Sequence, residues 1–299
     1  MIYDCFIFYN EIELLELRLK TLDKVVDYFV LVEANRTFTN QYKPYNFEIN
    51  KNKFQKFLHR IVHIKVDDMP DSNDAWGREI HQRNCIMRGL LGCGADDLVL
   101  ISDVDEIPNP GVLASFLGSN KMTLRFSNSR FKIKNLALSI PLNLYYRLFG
   151  ALNLLNNTPV VLEQDIFYYY VNCKSQKKWP GCILTKYKYI SLPQDLRQWD
   201  RRISMPRLPG AGWHFSYLGG ISRIADKIKA FAHTEMNTQS FTSAAWIKSR
   251  IVNGEDLFCR NEEGGGRFEF MEIDSALPAY TGPLIEKYPY LYLKASAKK

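Results

Sequence analysis

The first 103 residues of the chain alternate between short apolar segments and segments with apolar residues at helical spacing. Four segments are rich in β-branched and aromatic residues, which is typical of buried strands. They are residues 2–9, 28–33, 61–66 and 97–102. The segments between them have helical patterns and are residues 11–22, 50–58 and 75–91. This alternation predicts a parallel sheet covered by helices on both faces, and therefore an α/β fold.

The pattern changes after about residue 115. Residues 121–135 and 160–171 resemble strands in mixed order, and residues 221–252 are predicted to be helical. Residues 174–212 are basic and rich in Pro, Gly and Trp, and their lysines favour a solvated loop. We therefore expect an N-terminal half, residues 1–115, and a C-terminal half, residues 116–299, fused into a single domain.

The composition is that of a globular protein, with 46% hydrophobic and 24% charged residues. The net charge of +7 suits an anionic ligand such as a diphosphate. No zinc-finger or aromatic RNA-binding pattern accompanies it, so nucleic acid is not an expected partner. No segment has the apolar length of a membrane span, and the first residues lack the features of a signal peptide, so we expect a cytoplasmic protein. Cys173 and Cys182 could form a disulfide, although reduced thiols are the simpler interpretation.

Two carboxylates follow the fourth predicted strand, in the segment Ser102-Asp103-Val104-Asp105-Glu106. In open α/β sheets, ligands bind beyond the carboxyl ends of the strands. Side chains two residues apart in an extended segment point to the same side, so Asp103 and Asp105 could converge on Mg²⁺ or Mn²⁺. Such a cation could bridge the two phosphates of a nucleotide diphosphate. A polar turn after a strand is the alternative interpretation, and we favour the metal site.

Three further groups of residues are candidates for a site. The helix predicted over residues 75–91 carries Trp76, Arg78 and Arg83, and Arg83 could bind a phosphate through its forked donors. His214 lies in the dense segment 212–216 and is either a structural residue or a third metal ligand. Glu255 and Asp256 follow Gly254, where an acid is either a helix cap or a general base.

Taken in order, these motifs resemble those of glycosyltransferase family 17. The resembling segments run along most of the chain. They are YDCFIFYNEIELLELRL (residues 3–19), FVLVEANRTFT (29–39), WGRE (76–79), QRN (82–84), ISDVDEIP (101–108) and GWHFS (212–216).

The resemblance implies a GT-A fold, in which a Rossmann-like nucleotide-sugar-binding half with a mixed central sheet is fused to an acceptor-binding half. It implies an inverting, metal-dependent transfer of a sugar, by analogy N-acetylglucosamine from UDP-N-acetylglucosamine, to a glycan hydroxyl. Asp103, Asp105 and His214 would bind Mn²⁺ or Mg²⁺, with Asp103 sharing the metal or holding the ribose. Asp256 would be the base, with Glu255 as second choice.

Four residues at or just past the ends of early strands are predicted to contact the uridine, namely Asp4, Phe8, Asn10 and Glu33. Two alternatives from other functional classes stay open. One is a glycan-binding protein with a decayed transferase site. The other is a phosphatase of the haloacid dehalogenase type, which also places two aspartates after a strand but uses the first as a nucleophile.

Overall fold

We describe a computed structural model, which covers residues 1–119, 121–125, 130–132, 139–260 and 266–294. Its strands are β1 (Ile2–Phe8), β2 (Tyr28–Ala34), β3 (Ile61–Val66), β4 (Leu98–Asp103), β5 (Glu106–Pro108), β6 (Arg130–Lys132), β7 (Ser139–Pro141), β8 (Val160–Tyr168), β9 (Cys173–Lys186), β10 (Arg207–Leu208), β11 (Gly212–Ser216) and β12 (Phe268–Phe270). Its α-helices are α1 (Ile12–Leu22), α2 (Asn46–Asn50), α3 (Ala75–Asn84), α4 (Pro110–Gly118), α5 (Leu142–Leu155), α6 (Pro193–Arg197), α7 (Trp199–Ser204), α8 (Gly220–Ala230), α9 (Gln239–Thr242), α10 (Ala244–Asn253) and α11 (Thr281–Lys287).

The four N-terminal strands form a parallel sheet in the order β3-β2-β1-β4. Alternate residues of β1 enter the two layers of the core, with Phe6 packed on one face and Cys5 on the other. Burial on both faces explains why these strands are continuous apolar segments. The predicted strands and helix α1 are confirmed. The helix predicted over residues 75–91 is shorter, because the α-helix ends at Asn84 and a 3₁₀ turn, Cys85–Gly89, follows it.

Strand β9 corrects the interpretation of residues 174–212 as a solvated loop. It lies between β4 and β8 and is antiparallel to both. Its lysine-rich beginning is partly exposed, whereas its end, residues 180–186, is buried. Gly181 allows a close approach at this junction, since a Cβ there would lie 1.9 Å from Oε1 of Gln164 on β8. The central sheet is therefore mixed.

The sheet continues through β8 and β11, which are parallel, to the antiparallel strand β5. Strands β4 and β5 are separated by only Val104 and Asp105, yet they lie at different places in the sheet. Because two residues cannot span the three strands that separate β4 from β5 in the sheet order, the sheet curls and brings β5 close to the carboxyl end of β4. The sheet takes strands from both sides of residue 115, and the division into two functional halves stays a prediction.

Two further expectations concern a disulfide between Cys173 and Cys182 and the presence of a membrane-spanning helix. Cys173 and Cys182 are both buried, and the structure does not join them to each other in a disulfide. Among the residues that the structure describes, none of the helices has the combination of length and hydropathy that crossing a bilayer requires.

Candidate active site

A cavity of about 670 Å³ opens at the carboxyl ends of β1 and β4. Its lining includes the acidic turn, the face of α3, the ends of β8 and β11, helices α6 and α7, and the end of α8. This is the edge at which open α/β sheets bind their ligands. The cavity is where the sequence predicts the site.

Asp103 lies between two arginines. Its Oδ1 accepts a hydrogen bond from Nη2 of Arg83 at 3.0 Å, and its Oδ2 accepts one from Nη2 of Arg197 at 3.1 Å. Burial by itself raises the pKa of the Asp103 carboxyl, but the charges of Arg83 and Arg197 outweigh it and hold the pKa well below its ordinary value. Asp103 is therefore ionised, and both of its oxygens are engaged.

Asp105 has different partners, although it is only two residues away. Its Oδ2 accepts a hydrogen bond from Nζ of Lys227 at 2.8 Å, and its Oδ1 lies 3.7 Å from Nε2 of His214. Burial lowers the pKa of His214, and this outweighs the opposite effect of Asp105, so the imidazole is neutral near pH 7. Asp103 and Asp105 therefore line the same cavity but have different partners.

Glu106 anchors Arg197 from inside the protein. It is fully buried and accepts two hydrogen bonds from Arg197, at 2.7 and 2.8 Å, and one from Nε1 of Trp179 at 2.6 Å. A bidentate pair of this kind fixes the plane of the guanidinium. Nη2, which donates to Glu106, also donates to Asp103.

The acidic turn is also held from the core by Arg18 on α1. This side chain is fully buried and donates hydrogen bonds to the backbone carbonyl oxygens of Asp103, Val104 and Glu106. Its other nitrogens bind both carboxylate oxygens of Asp4, at 2.6 and 2.7 Å. Asp4 therefore neutralises the arginine that holds the turn.

The acidic turn lies in the part of the chain that matches a known protein family. The family model of glycosyltransferase family 17 matches residues 1–122, which include the turn, Arg18 and Arg83. The resemblance to glycosyltransferase family 17 is confirmed over these residues. His214 and Asp256 lie outside them.

Curated relatives agree with this match. The chain is 30% identical over 113 residues to the β-1,4-mannosyl-glycoprotein 4-β-N-acetylglucosaminyltransferases of Homo sapiens and Rattus norvegicus, and 29% identical to that of Mus musculus. The aligned segment covers 35% of this chain and 21% of each relative. The chain thus spans about a fifth of the length of the curated relatives it matches. The match supports the prediction that the chain is a glycosyltransferase.

The structure brings some of the predicted site residues to the cavity. Phe8, Trp76, Arg83, Asp103, Asp105 and His214 all line it.

Other predicted binding residues have structural partners instead. Glu33 is fully buried and accepts hydrogen bonds from the backbone nitrogens at the start of α2. Arg78 is buried and donates to the backbone carbonyl oxygen of Phe38 at 2.7 Å. Asp4 binds Arg18, as described above, and Asn10 is exposed beside a separate small cavity. The structure does not place these four residues in the large cavity.

The two predicted catalytic acids do not line the cavity. Asp256 is buried and its two oxygens accept hydrogen bonds from the Arg260 side chain and from the backbone nitrogens of Phe258 and Arg260. Burial raises the pKa of Asp256, but Arg260 outweighs it and the net pKa is lowered. Glu255 is partly exposed and pairs with Arg250. Of these residues, Arg260 lines the cavity.

Sequence reasoning did not find several cavity residues. They are cationic or aromatic side chains from the segment interpreted as a loop and from α8, and include Trp179, Arg197, Trp199, Arg202 and Lys227. Burial and the neighbouring Arg197 lower the pKa of Arg202 to about 10, so it is still charged near pH 7. The clustering of Trp and Arg at 197–202 was the available signal.

Proposed function

We propose that the chain is an inverting glycosyltransferase of the GT-A type that transfers N-acetylglucosamine from UDP-N-acetylglucosamine to a hydroxyl group of a glycan. The observation that carries this proposal is the cavity over the acidic turn, because the turn lies within the residues that match the family. The sugar is proposed to be N-acetylglucosamine because the relatives are N-acetylglucosaminyltransferases. The acceptor is proposed only as a class.

The charge of the cavity suits a nucleotide diphosphate. Nine Lys and Arg side chains line it, against five Asp and Glu side chains, so the lining is net positive. Cations fixed in a partly desolvated site stabilise the charge that develops on a leaving diphosphate. Arg83 and Arg197 are already oriented by Asp103 and Glu106, and they need little reorganisation to act on it.

The residues around Asp105 fit a divalent cation. Asp105 offers a carboxylate and His214 a neutral imidazole, with the facing atoms 3.7 Å apart, and this donor set suits Mn²⁺. Nδ1 of His214 is buried and has no hydrogen-bond partner among the described residues. Lys227, which now pairs with Asp105, has a second carboxylate at 3.8 Å in Glu11.

We propose that Asp105 and His214 hold Mn²⁺ or Mg²⁺, and that Asp103 supports the site through its arginines. When bound, the metal would neutralise the diphosphate and stabilise the departing UDP.

The aromatic wall of the cavity is proposed to hold sugar rings. The side chains of Trp199 and Trp76 line the cavity and are 51% and 43% exposed, which leaves apolar surface for stacking. Trp199 packs against Trp179 with the ring centroids 6.0 Å apart, and Trp179 is itself fixed by Glu106. The wall is thereby tied to the acidic turn.

The base that accepts the proton of the acceptor hydroxyl is proposed to be Asp256, with Glu255 as second choice. Its partner Arg260 would have to turn toward the ligand to free a carboxylate oxygen. Glu11 is a competing carboxylate that already lines the cavity. Direct attack on the anomeric carbon from the face opposite UDP would invert its configuration.

The proposal is tested by measuring the melting temperature with UDP-, GDP- and CDP-sugars, with and without Mn²⁺, followed by an assay for UDP release. A ligand that binds the folded state raises its stability by about 2.7 kcal/mol at one hundred times its dissociation constant. We expect UDP-N-acetylglucosamine with Mn²⁺ to give the largest shift. Stabilisation by glycans alone would instead indicate a binding protein, and a phosphorylated Asp103 would indicate a phosphatase.

A further inference from the structure

The middle of the chain has an unusual distribution of charge. Residues 107–162 contain six basic residues and no Asp or Glu. The basic residues are Lys121, Arg125, Arg130, Lys132, Lys134 and Arg147. Over the whole chain, 39 basic residues are accompanied by 32 acidic ones, so a segment of this length without any acid is strongly biased toward positive charge.

Helix α5 lies in this segment and carries large apolar side chains on both its buried and its exposed side. The buried side packs into the core through Leu142, Tyr145, Tyr146, Leu154 and Leu155. The exposed side carries four large apolar side chains together with Arg147 and Asn153. The four are Leu144, Leu148, Phe149 and Leu152, which are 46%, 62%, 50% and 52% exposed. Several large apolar side chains exposed on one helix mark a surface that contacts protein or lipid.

Cations accompany this exposed apolar surface. Arg147 is exposed and lies on α5 itself, between Leu144 and Leu148 in the chain. Lys121 and Arg125 are exposed in the segment that contacts α5, where Asn143 exchanges hydrogen bonds with the backbone of Leu124. Arg125 also pairs with Glu163 at 2.9 Å, so Lys121 and Arg147 are the cations on which the charge argument depends. Apolar side chains surrounded by Lys and Arg are typical of surfaces that bind anionic membranes.

We propose that the exposed side of α5, formed by Leu144, Leu148, Phe149 and Leu152, docks on the surface of an anionic lipid bilayer. The helix has 14 residues and a break at Gly150, whereas crossing the apolar core of a bilayer takes about 20 consecutive apolar residues. It would lie in the interface with its leucines among the acyl chains and its cations among the head groups. This partner goes beyond the proposed function and does not depend on it.

A second copy of the chain is the competing occupant. Two such surfaces would bring their positive charges together, which opposes association. An anionic bilayer attracts the same charges. The absence of acidic residues from 107–162 therefore favours lipid over self-association.

The test is flotation of the full chain with vesicles of phosphatidylcholine, with and without phosphatidylglycerol, in the absence of UDP-sugar. We expect the protein to float with the anionic vesicles only, and to be released by high salt. The double variant Leu148→Ser/Leu152→Ser and the single variant Arg147→Glu should each bind the anionic vesicles about tenfold more weakly.

Two matched control variants distinguish binding through this surface from non-specific binding to vesicles. Leu91→Ser changes another exposed leucine, which is 88% exposed, and Lys24→Glu reverses an exposed charge next to α1. Both should bind like the unmodified chain, and circular dichroism should show that all variants are folded. Equal binding to neutral vesicles, no binding at all, or a dimer that the double variant converts to a monomer would each overturn the proposal.

Discussion

Nη1 of Arg18 donates a hydrogen bond of 2.9 Å to the backbone carbonyl oxygen of Asp103. The arginine belongs to α1 and is fully buried, whereas the aspartate ends β4 at the wall of the cavity. The same guanidinium binds the next carbonyl oxygens of the turn and is neutralised by Asp4. A buried ion pair in the core therefore sets the backbone of the acidic turn.

The first prediction concerns this pair. Replacing Arg18→Leu should lower the free energy of unfolding by about 3–5 kcal/mol, because it leaves the Asp4 carboxylate buried without a partner. Urea denaturation measures the effect. The double variant Asp4→Leu/Arg18→Leu should lose less, since no charge stays buried. Arg201→Leu, at an exposed site, is the control, and an equally large loss there would refute the argument.

The second prediction concerns the two aspartates of the turn. Asp105→Asn should reduce the rate of metal-dependent UDP release by at least about 100-fold, because a metal ligand supplies several kcal/mol of stabilisation to the transition state. Its melting temperature should fall only slightly, because Lys227 loses one partner and keeps Glu11 at 3.8 Å. Asp103→Asn should lower the melting temperature more, since two buried arginines each lose a carboxylate partner. Among the described residues, Arg83 then keeps only Glu79 as a carboxylate partner and Arg197 only Glu106. The reverse pattern, with activity unchanged in Asp105→Asn, would exclude the proposed metal site.

The third prediction distinguishes Asp256 from Glu11 as the base that accepts the proton of the acceptor hydroxyl. If Asp256 accepts the proton, Asp256→Asn should reduce kcat about 100-fold or more while UDP binding is unchanged. Glu11→Gln, at the carboxylate that already lines the cavity, should then retain most of the activity. Single-turnover kinetics with saturating donor provide the measurement. A severe loss in Glu11→Gln with an active Asp256→Asn would transfer the role to Glu11.

The fourth prediction is a pH dependence of stability. The pKa of Asp256 is lower in the folded chain than its ordinary value of about 3.8. The unfolded chain therefore binds the proton more readily, so the Asp256–Arg260 interaction stabilises the fold fully above pH 3.8 and less as the pH falls below it. The difference in unfolding free energy between the unmodified chain and Asp256→Asn should shrink from pH 5 to pH 3. Denaturation curves that keep a constant difference would contradict it.

The N-terminal half of the fold could be predicted because its strands are buried on both faces and are separated by helices with clear periodicity. Strand β9 could not, because Lys174, Lys177 and Lys178 at its beginning resemble a solvated loop and Pro180 interrupts the pattern. Its apolar end is short, and only the tertiary structure shows that it lies between β4 and β8.

The acidic turn could also be predicted, since carboxylates at the end of a parallel strand occupy a known binding position. The role of Glu106 could not. In the sequence it is a third acid beside two aspartates, and its bidentate partner Arg197 lies 91 residues away. Its other partner, Trp179, is also far away, at a separation of 73 residues.

Strand β9 also determines whether the N-terminal part of the chain can fold by itself. The residues that carry the family likeness end at 122, but the strand that pairs with the open side of β4 comes from residues 173–186. A fragment of residues 1–122 would leave the main-chain donors and acceptors of β4 unpaired on one side, and such an exposed edge strand favours aggregation. The part of the chain that matches the family model is thus not an independent folding unit. Expression of residues 1–122 alone should yield insoluble protein, and addition of β9 should restore solubility.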